Sequence, residues 1–131
     1  MKRIDIIVHE NDSRSLEREF TMGLLATEWR AAGIQVRVVR GVPAKTDADL
    51  GVLHVDLSVI PDRFLRVAER YPRVLNGQTR DIRKSAFSRQ RVLSNDPWEG
   101  PVIVKSDLNY GGRPEIVLAS RWSRGIRSLI G

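Results

Sequence analysis

The stretch that decides the fold is Met1 to Ser13, MKRIDIIVHENDS. Its centre, Ile4 to Val8, is a short run rich in isoleucine and valine, the composition of a buried strand, interrupted only by Asp5. The residues that follow, His9 to Ser13, have turn and cap character, with Asp12 or Ser13 placed to accept the first free amides of a helix. Leu16, Phe20 and Leu24 then recur at spacing four, with Leu25 and Trp29 beside them, which predicts one amphipathic helix of about five turns. Gly33 falls where a left-handed residue closes a helix, and Ile34, Val36 and Val38 alternate with Gln35 and Arg37 as in a half-exposed strand. The opening third therefore reads strand, helix, strand.

The same alternation continues downstream. Leu50 to Val55 is a third apolar run, and Pro61 opens a helix whose Phe64, Leu65 and Ala68 face inward. Tyr71-Pro72 stops that helix, Val74-Leu75 is a brief fourth strand, and Asn76-Gly77 turns the chain. Thr79 or Asp81 starts another helix running to about Leu93, with Ile82, Ala86 and Leu93 on one side. Ser94 to Gly100 is a loop, Val102 to Val104 a further strand, and Ile116 onward a strand-like run before the basic stretch Arg121 to Arg127. Strands alternating with helices predict an α/β fold with a parallel sheet.

The 131 residues are enough for one core, and the absence of cysteine excludes disulfides, thiol nucleophiles and cysteine-held zinc. The N-terminal apolar run is too short for a signal peptide or a membrane span, so a cytoplasmic location with no membrane partner is expected. A balance of 22 basic against 16 acidic residues, net +6, favours anionic partners, from nucleotides and other phosphates to RNA.

In a parallel sheet the ligand crevice lies outside the carboxyl ends of the strands. His9 and Glu10, His54 and Asp56, and Asn76 fall there, either lining one cleft or serving as caps and turns. Arg80, Arg83, Lys84, Arg89 and Arg91 cluster on the helix predicted after Thr79, either as a solvated face or as phosphate partners. Only Phe87 is available there for base stacking, which disfavours nucleic acid. Lys105 ends the predicted strand Val102 to Val104, where a desolvated ammonium needs an anion, with Asp107 as the structural candidate and a nucleotide phosphate as the functional one. Asn109, Tyr110, Gly111 and Gly112 follow, able to turn successive amides toward an anion or to make a hairpin turn.

The succession Val74 to Asn76, Asp81 to Lys84, Gly100 to Lys105 and Gly111-Gly112 resembles the front half of ATP-grasp proteins. These include glutathione synthetases, D-alanine ligases and ribosomal-protein glutamate ligases. The longer phrase from His54 through Glu115 is most similar to uncharacterised bacterial ATP-grasp-like proteins, and the resemblance covers roughly residues 50–115. It implies a small parallel-sheet, Rossmann-like pre-ATP-grasp domain over 1–78 and a partial ATP-grasp nucleotide-binding segment over 79–131. It also implies ATP as ligand, held by Lys84, Lys105 and the loop Asn109, Tyr110, Gly111 and Gly112, and an acidic small molecule as substrate of a carboxylate-amine ligase. Magnesium would assist phosphoryl transfer in that reaction. Residues 116–131 contain no Asp, Glu or Asn, so the expected protein is catalytically incomplete and lacks the magnesium ligands. The alternative function is a basic module that binds RNA or an acidic partner through residues 80–91 and the Arg-rich tail.

Overall fold

In the computed structural model, which describes residues 2–119 with the side chain of Ala68 excepted, four parallel strands form one sheet in the order β2-β1-β3-β4. The strands are β1 (Arg3–Val8), β2 (Gln35–Arg40), β3 (Leu50–Leu53) and β4 (Val74–Leu75). Ile4 pairs with Val36 on one side and Leu50 on the other, so β1 is the central strand around which the core is built.

The alternation of β1 divides its side chains between two layers. Ile4, Ile6 and Val8 face the connection between β1 and β2, packing with Val52, Leu16 and Ala26. Ile7 faces the opposite layer, where Leu53, Phe64, Val67 and Tyr71 close around it. Both faces are covered, as parallel sheets require.

The first cover is two helices rather than the single one that the spacing predicts. α1 (Leu16–Glu19) and α2 (Thr21–Ala31) are separated at Phe20, which is extended at φ −133, ψ 141. The break folds α1 back against α2. A Cβ on Gly23 would lie 2.2 Å from the Leu16 carbonyl oxygen, so the contact is backbone on backbone and needs glycine. It also turns the inward stripe: Gly23 and Ala26 are buried while Leu24 and Leu25 are exposed, against expectation. Asp12 caps no helix. Its carboxylate instead accepts the Arg14 amide at 3.1 Å and turns the chain ahead of α1. Gly33 is left-handed at φ 78, as expected of a residue ending α2.

The second cover combines α3 (Asp62–Ala68) with a segment that contains no helix, residues 41–49, which passes from β2 to β3. Phe64 is fully buried and Leu65 partly so, as expected, whereas the side chain of Ala68 lies outside the described residues. Where a helix would otherwise sit, a polar row crosses the sheet. Arg37, Asp5 and Gly51 are in register on adjacent strands. Asp5, 1% exposed, receives Arg37 Nε at 2.7 Å, Arg37 Nη2 at 2.9 Å, Thr46 Oγ1 at 3.1 Å and the Tyr71 hydroxyl at 3.2 Å. Tyr71 reaches it by lying on Gly51, whose missing side chain leaves room: a Cβ there would be 2.8 Å from the ring.

Beyond β4 the regular structure thins. The helix predicted through Leu93 is confined to α4 (Lys84–Phe87), because Asp81 is drawn into an antiparallel bridge with Val59. Asp81 also accepts the Arg83 amide at 3.0 Å, which sets a turn ahead of α4. The strand predicted at Val102 to Val104 does not form: Ile103 is 82% and Val104 91% exposed, with no strand among the described residues to pair with. The chain ends its described course in a 3-10 turn, Asn109–Gly112, and α5 (Arg113–Leu118), where a strand-like run from Ile116 is expected. The basic stretch Arg121 to Arg127 lies outside the described residues. Among the described residues no helix is long and apolar enough to cross a membrane.

Burial pushes the Asp5 carboxyl up, but the bonds from Arg37, Thr46 and Tyr71 together hold it below the usual carboxylate value. The stability from this shift is therefore complete above about pH 4, the unfolded value, and is lost as pH falls through the lower folded value. Arg37→Ala, which leaves the buried carboxylate without its cation, should cost about 3 kcal/mol at pH 7. Urea unfolding should show that difference shrinking as pH falls below about 4, where the unfolded chain takes up the proton that the lowered Asp5 of the folded wild type resists. Gly23→Ala, which helix propensity alone would favour by about 1 kcal/mol, should instead lower the melting temperature.

Candidate functional site

The direction of chain progression reverses between β1 and β3, since β1 connects to β2 on one side and neighbours β3 on the other. The carboxyl ends of these two strands therefore flank the place where an open α/β sheet forms its crevice. His9 follows β1 and His54 follows β3, as the sequence predicts, yet the two rings serve different surroundings. His9 is buried, accepts the Asn11 amide at Nδ1 (3.1 Å) and tilts against Phe64, with ring centroids 5.7 Å apart. His54 meets Phe20 edge to face at 5.1 Å, and its Nε2 is buried without a hydrogen-bond partner. Burial lowers the pKa of both imidazoles, so each favours its neutral form.

Arg14 joins the strand ends. Its guanidinium bonds Asp12 through Nε and Nη2, both at 2.8 Å, and Asp56 through Nη1 at 2.8 Å, while stacking 4.7 Å from the Phe20 ring centroid. The two carboxylates make this a fixed ion cluster rather than a free cation. Glu10 pairs with Arg63, and Asn76, left-handed at φ 62, directs Nδ2 toward the Leu53 carbonyl at 3.3 Å as a turn residue. Of the five residues predicted to line one cleft, the cap-and-turn role thus describes His9 and Asn76, while Asp56 belongs to the ion cluster.

The region after residue 106 docks onto this end of the sheet. Ser58, fully buried, is the hub: its amide donates to Glu115 Oε1 at 2.8 Å, and its hydroxyl accepts the Asn109 amide at 2.6 Å. The Asn109 side chain donates to Asp56 Oδ1 at 3.0 Å, and Asn11 donates to the Leu118 carbonyl at 3.0 Å. Pro114 and Leu118 are buried by this docking. Glu115 Oε2 is buried without a partner, and burial pushes that carboxyl up, but the bonds from Ser58 outweigh it and its pKa is lowered.

The glycine turn is left-handed at three successive residues, Tyr110 (φ 47), Gly111 (φ 67) and Gly112 (φ 78). Tyr110 has a side chain in a region where L-residues are rare, a strain of order 1 kcal/mol. Gly112, left-handed, is followed by Arg113 at φ −59, ψ −42, whose amide donates back to the Tyr110 carbonyl and closes the turn. Lys84, the first residue of α4, reaches across to this turn: its Nζ donates to the Leu108 carbonyl at 2.8 Å.

Lys105 stands apart from this arrangement. It lies on the exposed 101–106 segment, so no core desolvates its ammonium. Asp107, expected as its partner, is engaged by Ser85 instead, through the amide at 2.7 Å and the hydroxyl at 2.8 Å. The structure brings Lys84 together with Asn109, Tyr110, Gly111 and Gly112 and leaves Lys105 outside the group. Among the basic residues of 80–91, Arg80 pairs with Asp62 and Arg83 with Asp81, while Arg89 and Arg91 are exposed on a non-helical stretch.

Sequence reasoning missed Arg14, Ser58 and Glu115. Only the serine's place between Leu57 and Val59, beside an apolar run, hinted at burial. Nothing local aims Arg14 at a carboxylate 42 residues away. Searches among models of protein families, curated proteins and solved structures found no match for this chain. Ser58→Ala, which strands the Asn109 amide, should cost about 1 kcal/mol. In hydrogen exchange it should speed the Asn109 amide while leaving β1 protected, and equal speeding of both would reject the hub role.

Proposed function

We propose that this protein binds ATP as an ATP-grasp-like protein related to carboxylate-amine ligases, with residues 1–78 as the preceding α/β domain and 79–131 as the nucleotide-binding segment. The observation that carries the reading is the bond from Lys84 Nζ to the Leu108 carbonyl, which gathers a cation and a glycine turn 24 residues apart in sequence. A phosphate entering here exchanges that carbonyl for its own oxygens at the ammonium, a stronger charge-assisted partner. The Arg113 and Asn109 amides are already engaged, by the Tyr110 carbonyl and the Ser58 hydroxyl, so the turn contributes its compact shape beside the ammonium. Lys105, outside this group on its exposed segment, adds a second cation to the outer phosphates only while that segment is unpaired.

The residues present fit the phosphates better than they fit a resident metal. Among the described residues no three imidazole or carboxylate groups converge as a cation cage, and magnesium enters as the counter-ion of ATP. The ion cluster of Arg14 with Asp12 and Asp56 remains structural in this reading, because its one guanidinium is already held by both carboxylates.

Titration calorimetry with ATP, with and without magnesium, tests the proposal. Lys84→Ala should weaken ATP binding about tenfold or more, the magnitude of one charged hydrogen bond. Lys105→Ala should weaken it less, and adenosine should not compete. Absence of ATP binding, or equal affinity in the wild type and both variants, rejects the phosphate role.

A further inference from the structure

The most exposed apolar side chains of the described residues, Ile103 and Val104, fall in one segment. Trp98 is 58%, Val102 54%, Ile103 82% and Val104 91% exposed, and residues 101–106 run without turn, bend or ladder partner. Of their backbone groups only the Pro101 carbonyl is engaged among the described residues, by Trp98 Nε1 at 3.4 Å, and a β-branched run with its other backbone groups unpaired is the template that another strand completes. The sequence around it selects the occupant.

We propose that residues 99–105 pair antiparallel with the same residues of a second copy, across a two-fold axis at Val102. An antiparallel pair alternates hydrogen-bonded and non-hydrogen-bonded positions. Pro101, which has no amide hydrogen, must occupy a non-hydrogen-bonded position. With Val102 opposite Val102, Pro101 faces Ile103 in that position. The same register sets Glu99 of each copy opposite Lys105 of the other, in a second non-hydrogen-bonded pair where side chains approach most closely. Both residues are exposed. Gly100 falls opposite Val104, where its missing side chain leaves room for the valine. The bend at Gly100 and the Trp98 ring beside it are the features that straighten on pairing. A two-fold axis makes each of these complementary contacts occur twice, which a chance apolar segment does not offer.

The absence of cysteine makes the register directly testable. Single Val102→Cys and Ser106→Cys variants are oxidised mildly and run without reductant. Paired Val102 positions lie about 5.5 Å apart between Cα atoms, within disulfide range, so Val102→Cys should give a covalent dimer and Ser106→Cys should not. Sedimentation equilibrium of the wild type should show concentration-dependent dimerisation. Lys105→Glu should weaken it about tenfold, and Glu99→Lys combined with Lys105→Glu should restore it. Because these positions are on the surface, thermal melting of the reduced variants should be unchanged at concentrations where the wild type is monomeric. A wild type that stays monomeric at all concentrations, as when a different partner covers the segment, overturns the proposal. So does equal cross-linking at both cysteines. ATP binding is judged on Lys84→Ala, so failure of the nucleotide reading leaves this one standing.

Discussion

A carboxylate in the middle of the central strand, with its charge intact, is the constraint around which the rest of this sheet is arranged. Asp5 is flanked by β2 and β3, and an unpaired anion there would cost several kcal/mol. Arg37 answers it from the adjacent strand with two nitrogens, 2.7 and 2.9 Å away. Thr46 answers it from the segment that replaces a helix, and Tyr71 from beyond α3. Each partner is tied to an element that would otherwise be free to drift. The 41–49 segment, lacking helical hydrogen bonds of its own, is located against the sheet by Thr46 and by Ala48 in the apolar cluster. Gly51 belongs to the same constraint, since any side chain there would displace the tyrosine ring. A polar row thus does what a helix commonly does on this face of a parallel sheet.

The end of the sheet toward which the strands point is organised by a different kind of bond. Ser58 offers both its amide and its hydroxyl to the region after residue 106, and Asp56 divides its two oxygens between Arg14 and Asn109. The docked turn and α5 therefore rest on residues that also tie β1 to β3. This arrangement explains why Lys84 sits by the glycine turn: its own amide bonds the Asp107 carbonyl at 3.3 Å and Ser85 bonds the Asp107 carboxylate, so α4 is tied to the turn from both backbone and side chain. Lys105 has no such tether, and its neighbours Ile103 and Val104 remain in solvent.

The four strands of the sheet and the turns that close its loops were legible as types of residue. Ile4 to Val8, the alternation from Ile34 and the brief Val74-Leu75 are strands because their side chains fit a pleated surface and a neighbouring strand takes their backbone groups. The turn at Asn76 and the left-handed Gly33, Gly111 and Gly112 follow from backbone sterics alone. The predicted five-turn helix broke at Phe20 because α1 gains more by packing across Gly23 than by continuing the ladder. Val102 to Val104 has all the local marks of a strand, but a strand exists only when a neighbour takes its backbone groups. The partner of Lys105 was misread for the same reason: a side chain two residues away competed with Ser85, which the fold brings alongside.

By itself, then, the sequence determined the α/β class, the parallel order of elements and the glycines that close its turns, because these depend on local sterics and on a hydrophobic period carried within each segment. Tertiary structure alone decided which charges meet. Asp5 with Arg37, Arg14 with Asp56, Ser58 with Asn109 and Glu115, and Lys84 with the glycine turn are all pairs separated by dozens of residues. Their energies come from distance and burial, quantities that exist only once the chain has folded.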